Sequence, residues 1–381
     1  VINVLKFLHT SDWQMGMKAV HTGTKAKEVR EKRFETAQHI VELAHQEDVD
    51  FVVLAGDTFE DHNVDDLVVK RTVDILNQFA PIPVYVLPGN HDPWIPGGVW
   101  ERDSWERIGP HVTLLTENEE YCHSDDVVLY PCPLTQKQSG LDPTAWIPRR
   151  DEGDTHIRIG IAHGSLDLFA DDAKNFPIAR DRADQCDLDY LALGHWHSFQ
   201  QSGRAVYSGT MEPTSFRERD PGNVVLVGLK EARAQPQIET QKINALQWVE
   251  ITPDIHTVED VESLDAQIRD LGPLASVLLK ISPILEECTD SDALQRLDTL
   301  QKEMQERAFY LEWAEPVCRT YIGEASAQLP DGILSQVDEA LAAIEDERIP
   351  DGPGRQFADQ DLEIVRTARN LLHRLAGGRS A

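Results

Sequence analysis

At 381 residues, 41% apolar and 27% charged, the chain has the length for two or three domains and a sizeable core. No apolar run approaches membrane-spanning length, and the opening VINVLKFLHT reads as a strand with no secretory signal, so cytoplasm is the expected compartment. The net charge of −30 is shared equally, −15 over residues 1–230 and −15 over 231–381, so the surface as a whole repels polyanions. A nucleic-acid partner therefore needs bound cations, a local basic patch or a helper protein.

The predicted elements begin with an apolar strand, VLKFLHTSD, that runs into His9, Asp12 and Gln14. A helix follows over 30–48, then the strand of VDFVVLAGD, which delivers Asp57. A second helix covers DDLVVKRTVDILNQFA, and the strand of IPVYVLPGNHD delivers Asn90, His91 and Asp92. Further strands come from VTLL, DVVLYPCP, HIRIGIAHGS, LDYLALGHWHS, RAVYSG and NVVLVGLK. The third of these delivers His163 and the fourth His195 and His197. Near-continuous apolar strands separated by helices predict an α/β fold with a buried sheet. Strands joined only by turns predict a second, more antiparallel sheet. EARAQPQIETQKI reads as a strand leading outward.

Beyond residue 254 the pattern becomes helix (258–272), strand (276–284), helix (291–308), strand (309–316), a small α+β unit. Two amphipathic helices follow, over 333–348 and 359–378, with apolar stripes at Leu334, Val337 and Leu341 and at Leu362, Val365 and Leu372. They can dock on a partner or pack on their own domain. The expected division is a motif-rich domain over 1–230, a small α+β domain over 231–325 and a helical segment over 326–381.

Five strands thus end in polar residues, four of them beside a glycine (Gly56, Gly89, Gly164 and Gly194). Side chains at the carboxyl ends of neighbouring strands converge in open α/β sheets. A set of Asp, Asn and His without thiolate suits manganese, iron or zinc better than calcium. The five cysteines (Cys122, Cys132, Cys186, Cys288 and Cys318) lack any CxxC, which argues against a disulfide framework and a thiolate zinc site.

SDWQ, GD, GNHD, AHG and GHWH, in this order over residues 9–197, resemble the calcineurin-like metallophosphoesterases. LHTSDWQMG resembles most the DNA repair exonuclease branch, which includes the nuclease subunit of the SbcCD complex. The resemblance implies a four-layer α/β/β/α sandwich with a small appended α+β capping-like domain and C-terminal helices. It implies two divalent ions, manganese first, with iron, zinc or magnesium as alternatives. Asp57 would bridge them. Asp12 and His197 would hold the first ion, and Asn90, His163 and His195 the second. His91 would protonate the leaving oxygen or hold the scissile phosphate.

Gln14 departs from the pattern, which puts histidine there. Its amide is a weaker ligand, so the first ion is expected to bind less tightly. His9 is expected to support this turn, beside the ligands or purely structurally. The implied activity is phosphodiester hydrolysis on DNA, with an SMC-like coiled-coil ATPase as partner, since no Walker motif is present here. A homodimer is left open. An enzyme for small nucleotides and a non-catalytic metal-binding scaffold are the competing readings. Trp13, Trp94, Trp100 and Trp196 can stack on bases or fill the core. The REKRF stretch is expected to form a solvated helix face.

Overall fold

A computed structural model describes residues 4–166, 175–286, 289–319 and 333–345, together with 365, 368, 369 and 372. The chain divides into two compact units. The first holds the described residues of Val1–Glu250 with Leu271–Lys280 and Gln305–Glu312, and the second holds the other described residues.

In chain order the first unit begins with β1 (Leu5–Thr10), α1 (Ala26–Gln46), β2 (Phe51–Ala55), α2 (Asp66–Leu76), β3 (Val84–Leu87) and β4 (Val112–Leu114). It continues with β5 (Tyr121–Ser124), β6 (Val127–Cys132), β7 (Ile157–His163), β8 (Ser165–Leu166), β9 (Pro177–Ile178) and α3 (Arg182–Gln185). Then come β10 (Tyr190–Gly194), β11 (Gln200–Ser202), β12 (Ala205–Tyr207), β13 (Asn223–Leu229) and β14 (Gln237–Lys242).

Two six-stranded sheets result, ordered β14-β13-β1-β2-β3-β4 and β11-β12-β10-β7-β6-β5. Alternation along each strand stacks the layers. Phe7, Phe51, Val53 and Tyr85 of one sheet meet Leu129, Ile159, Ile161 and Tyr190 of the other. The alternate residues Leu8, Val52, Leu54, Val84 and Val86 face Phe34, Ile40, Val69 and Leu76 of the helices. On the far side Tyr130, Leu191, Leu193 and Tyr207 pack with Cys186 and Leu188 around the one-turn α3. The layers therefore run helices, sheet, sheet, then a thin cover of α3 and loops. Truncating an inter-sheet aromatic such as Phe51, which is fully buried and stacked on Phe7, would cost about 3–5 kcal/mol.

Two expectations need correction. The second sheet is no more antiparallel than the first: β6, β7, β10 and β12 run parallel, and only its edge pairs are antiparallel. A long irregular connection over 133–156 makes the crossover from β6 to β7, and such a crossover carries no periodic signal. The strand expected to lead outward instead turns back along β13 as β14, the antiparallel edge of the first sheet. Its exposed charged and amide side chains suit an edge.

The first unit also holds β15 (Gln247–Ile251), β17 (Val277–Ile281) and β19 (Tyr310–Trp313), except for the last residue of each. In the second unit β16 (Asp254–Ile255), β18 (Ile284–Glu286) and β20 (Val317–Arg319) pair in parallel. It carries α4 (Val258–Arg269), started by a capping box of Thr257 and Asp260, and most of α5 (Ser291–Arg307). It also carries α6 (Ile333–Glu345), where Leu341 and Ile344 bury against Val365 while Leu334 and Val337 stay exposed. Apart from residues 365, 368, 369 and 372, the second expected C-terminal helix lies outside the described residues, as do Leu362 and Cys288.

Candidate metal centre

The carboxyl ends of β1, β2, β3, β7 and β10 gather at one edge of the two sheets. β1, β2 and β3 are parallel neighbours, and β7 and β10 pair with Gly194 opposite His163. Each strand therefore releases its polar residue at the same level. The turn after β1 is stitched to the turn after β2 by Asp12 N to Gly56 O (3.0 Å) and Gln14 N to Asp57 O (3.0 Å). Close approach explains two of the glycines. A Cβ on Gly56, whose φ is +91°, would strike the His163 ring, and one on Gly89 would strike Asp57. Asp12, Gln14 and Asp57 hold left-handed backbone near φ 50°, and His195 stands at φ 104°. Such strain, of order 1–3 kcal/mol per residue, is maintained by the surrounding hydrogen bonds.

Asp12, Asp57 and His163 are buried, and their ligand-capable atoms lie within 4.8 Å of one another. His163 Nε2 sits 3.3 Å from Asp57 Oδ2 and 2.9 Å from Asn90 Oδ1. His195 Nδ1 lies 2.9 Å from the same Asn90 oxygen. His197 Nε2 is 3.9 Å from Asp12 Oδ1. Gln14 Nε2 donates to Asp57 Oδ2 at 3.2 Å. His91 places Nε2 4.0 Å from Asp57 Oδ2, and its side chain is 43% exposed. The structure thus brings together Asp12, Gln14, Asp57, Asn90, His91, His163, His195 and His197. It places His9 apart, in the layer between the sheets, with Nδ1 2.9 Å from Tyr190 Oη. Asp92 also turns away and accepts from Phe59 N and Gly89 N, bracing the turn that presents Asn90.

Partners outside the cluster orient the rings. His163 Nδ1–H donates to Ala55 O (2.9 Å), His91 Nδ1–H to Glu60 O (2.8 Å) and His197 Nδ1–H to Glu218 Oε1 (2.6 Å). Each leaves Nε2 toward the carboxylates. His195 is reversed, because Asn175 Nδ2 donates to its Nε2 at 2.5 Å and Nδ1 faces the cluster. Sequence reasoning missed Glu218 and Asn175. Neither belongs to a motif, and no local signal marks them.

The charges follow from burial. Burial pushes the Asp57 carboxyl up, but the His163 charge and hydrogen bond and the His91 charge outweigh it and hold Asp57 below the usual carboxylate range. Burial raises the Asp12 carboxyl, with His163 and His197 opposing. Burial would lower His163, yet Asp57 and Asp12 lift it to about 9. His195 is pushed down to about 3 by burial and by His163. Two buried carboxylates balanced by imidazole protons suit a cation that can take the place of those protons, and the Asp, Asn and His donors fit a divalent ion.

The family model for Calcineurin-like phosphoesterase matches residues 5–199. The chain belongs to this family. Calcineurin-like phosphoesterases are divalent-metal-dependent hydrolases, in keeping with the pocket. One relative is the uncharacterized metallophosphoesterase YhaO of Bacillus subtilis, 24% identical over 250 residues, or 64% of this chain and 60% of that protein. The DNA double-strand break repair protein Mre11 of Haloferax volcanii is 27% identical over 282 residues, 70% of this chain and 58% of that protein. One subunit of the nuclease SbcCD from Staphylococcus saprophyticus is 32% identical over 91 residues, 23% of each chain. Members of the DNA repair exonuclease branch are therefore among its relatives. The chain spans 60% and 58% of the length of the first two. No helix among the described residues is long and apolar enough to cross a membrane.

Proposed function

We propose that the chain is a metal-dependent phosphodiesterase that hydrolyses DNA, as the nuclease subunit of a repair complex in the cytoplasm. The observation that carries this is the meeting of five strand ends around Asp12 and Asp57 with a half-exposed His91 at the rim. Asp57 would bridge two ions, Asp12 and His197 would hold the first, and Asn90, His163 and His195 the second. Gln14 would stand near the first. The family resemblance puts manganese first, with iron, zinc or magnesium as alternatives, and the mixed imidazole and carboxylate donors suit manganese, iron and zinc. When bound, the ions polarise the phosphoryl group and supply a nucleophile at neutral pH.

The protein's own groups then position and exchange protons. Glu218 keeps His197 in the tautomer that turns Nε2 to Asp12. Glu60 O does the same for His91, so that Nε2 can hold a proton toward a leaving oxygen. DNA as substrate is supported by the relatives and by the local charge. Residues 18–32, directly after the 12–17 loop, hold five Lys or Arg outside the core and two Glu, a surplus of three positive charges in a chain of net −30. Of the four tryptophans, Trp13 and Trp100 are buried and Trp94 packs on the core, but Trp196 is exposed between two candidate ligands and can stack on a base.

A coiled-coil SMC-like ATPase is the proposed partner, with Leu334 and Val337 of α6 as an exposed stripe for it. Replacing both by Asp should abolish co-purification with that partner and leave hydrolysis intact. The acidic surface favours small nucleotides as a second reading. Gln14 is the one feature that favours a scaffold. Hydrolysis of single- and double-stranded DNA and of a chromogenic diester, with Mn²⁺, Mg²⁺ and Zn²⁺, separates the three. Turnover of the diester without DNA cleavage would support the second reading, and bound metal without turnover the third.

A further inference from the structure

Arg33 belongs to the REKRF stretch of α1, expected on a solvated face, yet it is only 3% exposed. A buried guanidinium needs fixed acceptors to offset its lost hydration. Arg33 finds them in two chain segments. Nη1 donates to Trp13 O at 2.9 Å, and Nη2 to Glu212 O at 2.9 Å and Pro213 O at 3.2 Å. Nη1 also lies 3.5 Å from Thr210 Oγ1, which is 2.7 Å from Asp12 O.

These acceptors sit next to candidate ligands of the first ion. Trp13 lies between Asp12 and Gln14. Pro213 precedes Thr214, whose backbone N and hydroxyl donate to Glu218 at 2.8 and 2.5 Å. Glu218 in turn holds His197. One planar fork therefore ties together the backbone on both sides of that site. Among the described residues, none of its hydrogen-bond partners lies in the segments that carry Asn90, His163 or His195.

We propose that Arg33 is a positioning residue for the first ion, setting the distance between the 12–14 turn and the His197/Glu218 pair. The proposal rests on the two-ion reading above. It follows from Gln14 that geometry matters more at this site than at the second. A neutral amide gives the ion less than an imidazole does, so affinity depends on how well the remaining ligands are held in place.

The test uses the full chain with Arg33→Lys and Arg33→Met. Lysine keeps the charge but is a point donor without the fork. Metal-free protein is titrated with Mn²⁺ by calorimetry and by electron paramagnetic resonance. Hydrogen exchange at residues 13–17 is followed without metal. The expected result is a rise of roughly 10–100-fold in the Kd of the weaker Mn²⁺ site. The tighter site should change less than about twofold, and the 13–17 amides should exchange faster, with lysine the milder variant. Equal weakening of both sites, or no change in either, would overturn the role of Arg33. So would failure of both variants to fold without metal, which would make the residue structural. Wild-type protein that binds a single Mn²⁺ would instead overturn the two-ion reading itself.

Discussion

Raising the pH of the metal-free protein from 7 to 9 should destabilise it, and the buried Asp57 and His163 set the size of the effect. His163 Nε2 is 3.3 Å from Asp57 Oδ2, and both side chains are within 2% of complete burial. Burial alone favours neutral imidazole. The Asp57 charge and hydrogen bond, with Asp12 behind them, reverse this and hold His163 at about 9. A proton held more tightly in the fold than in the unfolded chain stabilises the fold. That stabilisation is complete below about pH 6.5 and is lost as the pH rises through 9. The gap between the two values corresponds to about 3 kcal/mol. His197, which Glu218 and Asp12 lift against burial, has the same sign, and so does Asp12, raised by burial. Asp92 and Glu212, which burial pushes up to about 7, lose the rest of their protons just above pH 7 and add a small contribution of the same sign. His195 stays neutral throughout. Urea unfolding in EDTA at pH 7, 8 and 9 measures the loss. On the proposed site, adding Mn²⁺ should reverse the trend, because the ion would take the place of the His163 proton and its affinity should rise with pH by up to about tenfold per unit. Stability in EDTA that stays flat or rises from pH 7 to 9 would refute the reasoning. So would an unchanged slope in Asp57→Asn.

Gln14→His should tighten the weaker manganese site by about tenfold or more, since the left-handed backbone at this position admits histidine. Anomalous scattering at limiting Mn²⁺ checks this, and equal occupancy of both sites in the wild type would contradict it. His91→Ala should keep the metal and slow turnover by roughly 10²–10⁴-fold. Loss of metal from that variant would make His91 a ligand. Glu218→Gln should lower metal affinity by roughly 10–100-fold while the protein stays folded, read by calorimetry. An unchanged affinity would show that Thr214 and the backbone suffice to orient His197.

The strand ends were legible because their signals are local. An apolar run buries itself, a glycine permits the turn, and the next polar residue is left at the sheet edge. Asp57, Asn90, His163, His195 and His197 all follow this rule, and all reach the cluster. The separation of His9 from Asp12 was not legible. Three residues along a strand and its turn decide whether a side chain points between the sheets or into the site. Leu341 and Val365 were read only as apolar stripes. Their contact with one another depends on how the chain folds back.

By itself the sequence determined the layered α/β fold, the order of the motifs and the residue types offered to a metal. These depend on residues adjacent in the chain. Tertiary structure alone decided the rest. It placed Glu218 on His197 across 21 residues, Asn175 on His195 across 20, and Arg33 on a carbonyl 180 residues further along the chain. It also made the second sheet parallel at its centre. The reason is physical: ring orientation, proton affinity and the spacing of ligands depend on burial and on hydrogen bonds between distant segments, and those exist only once the two sheets have packed.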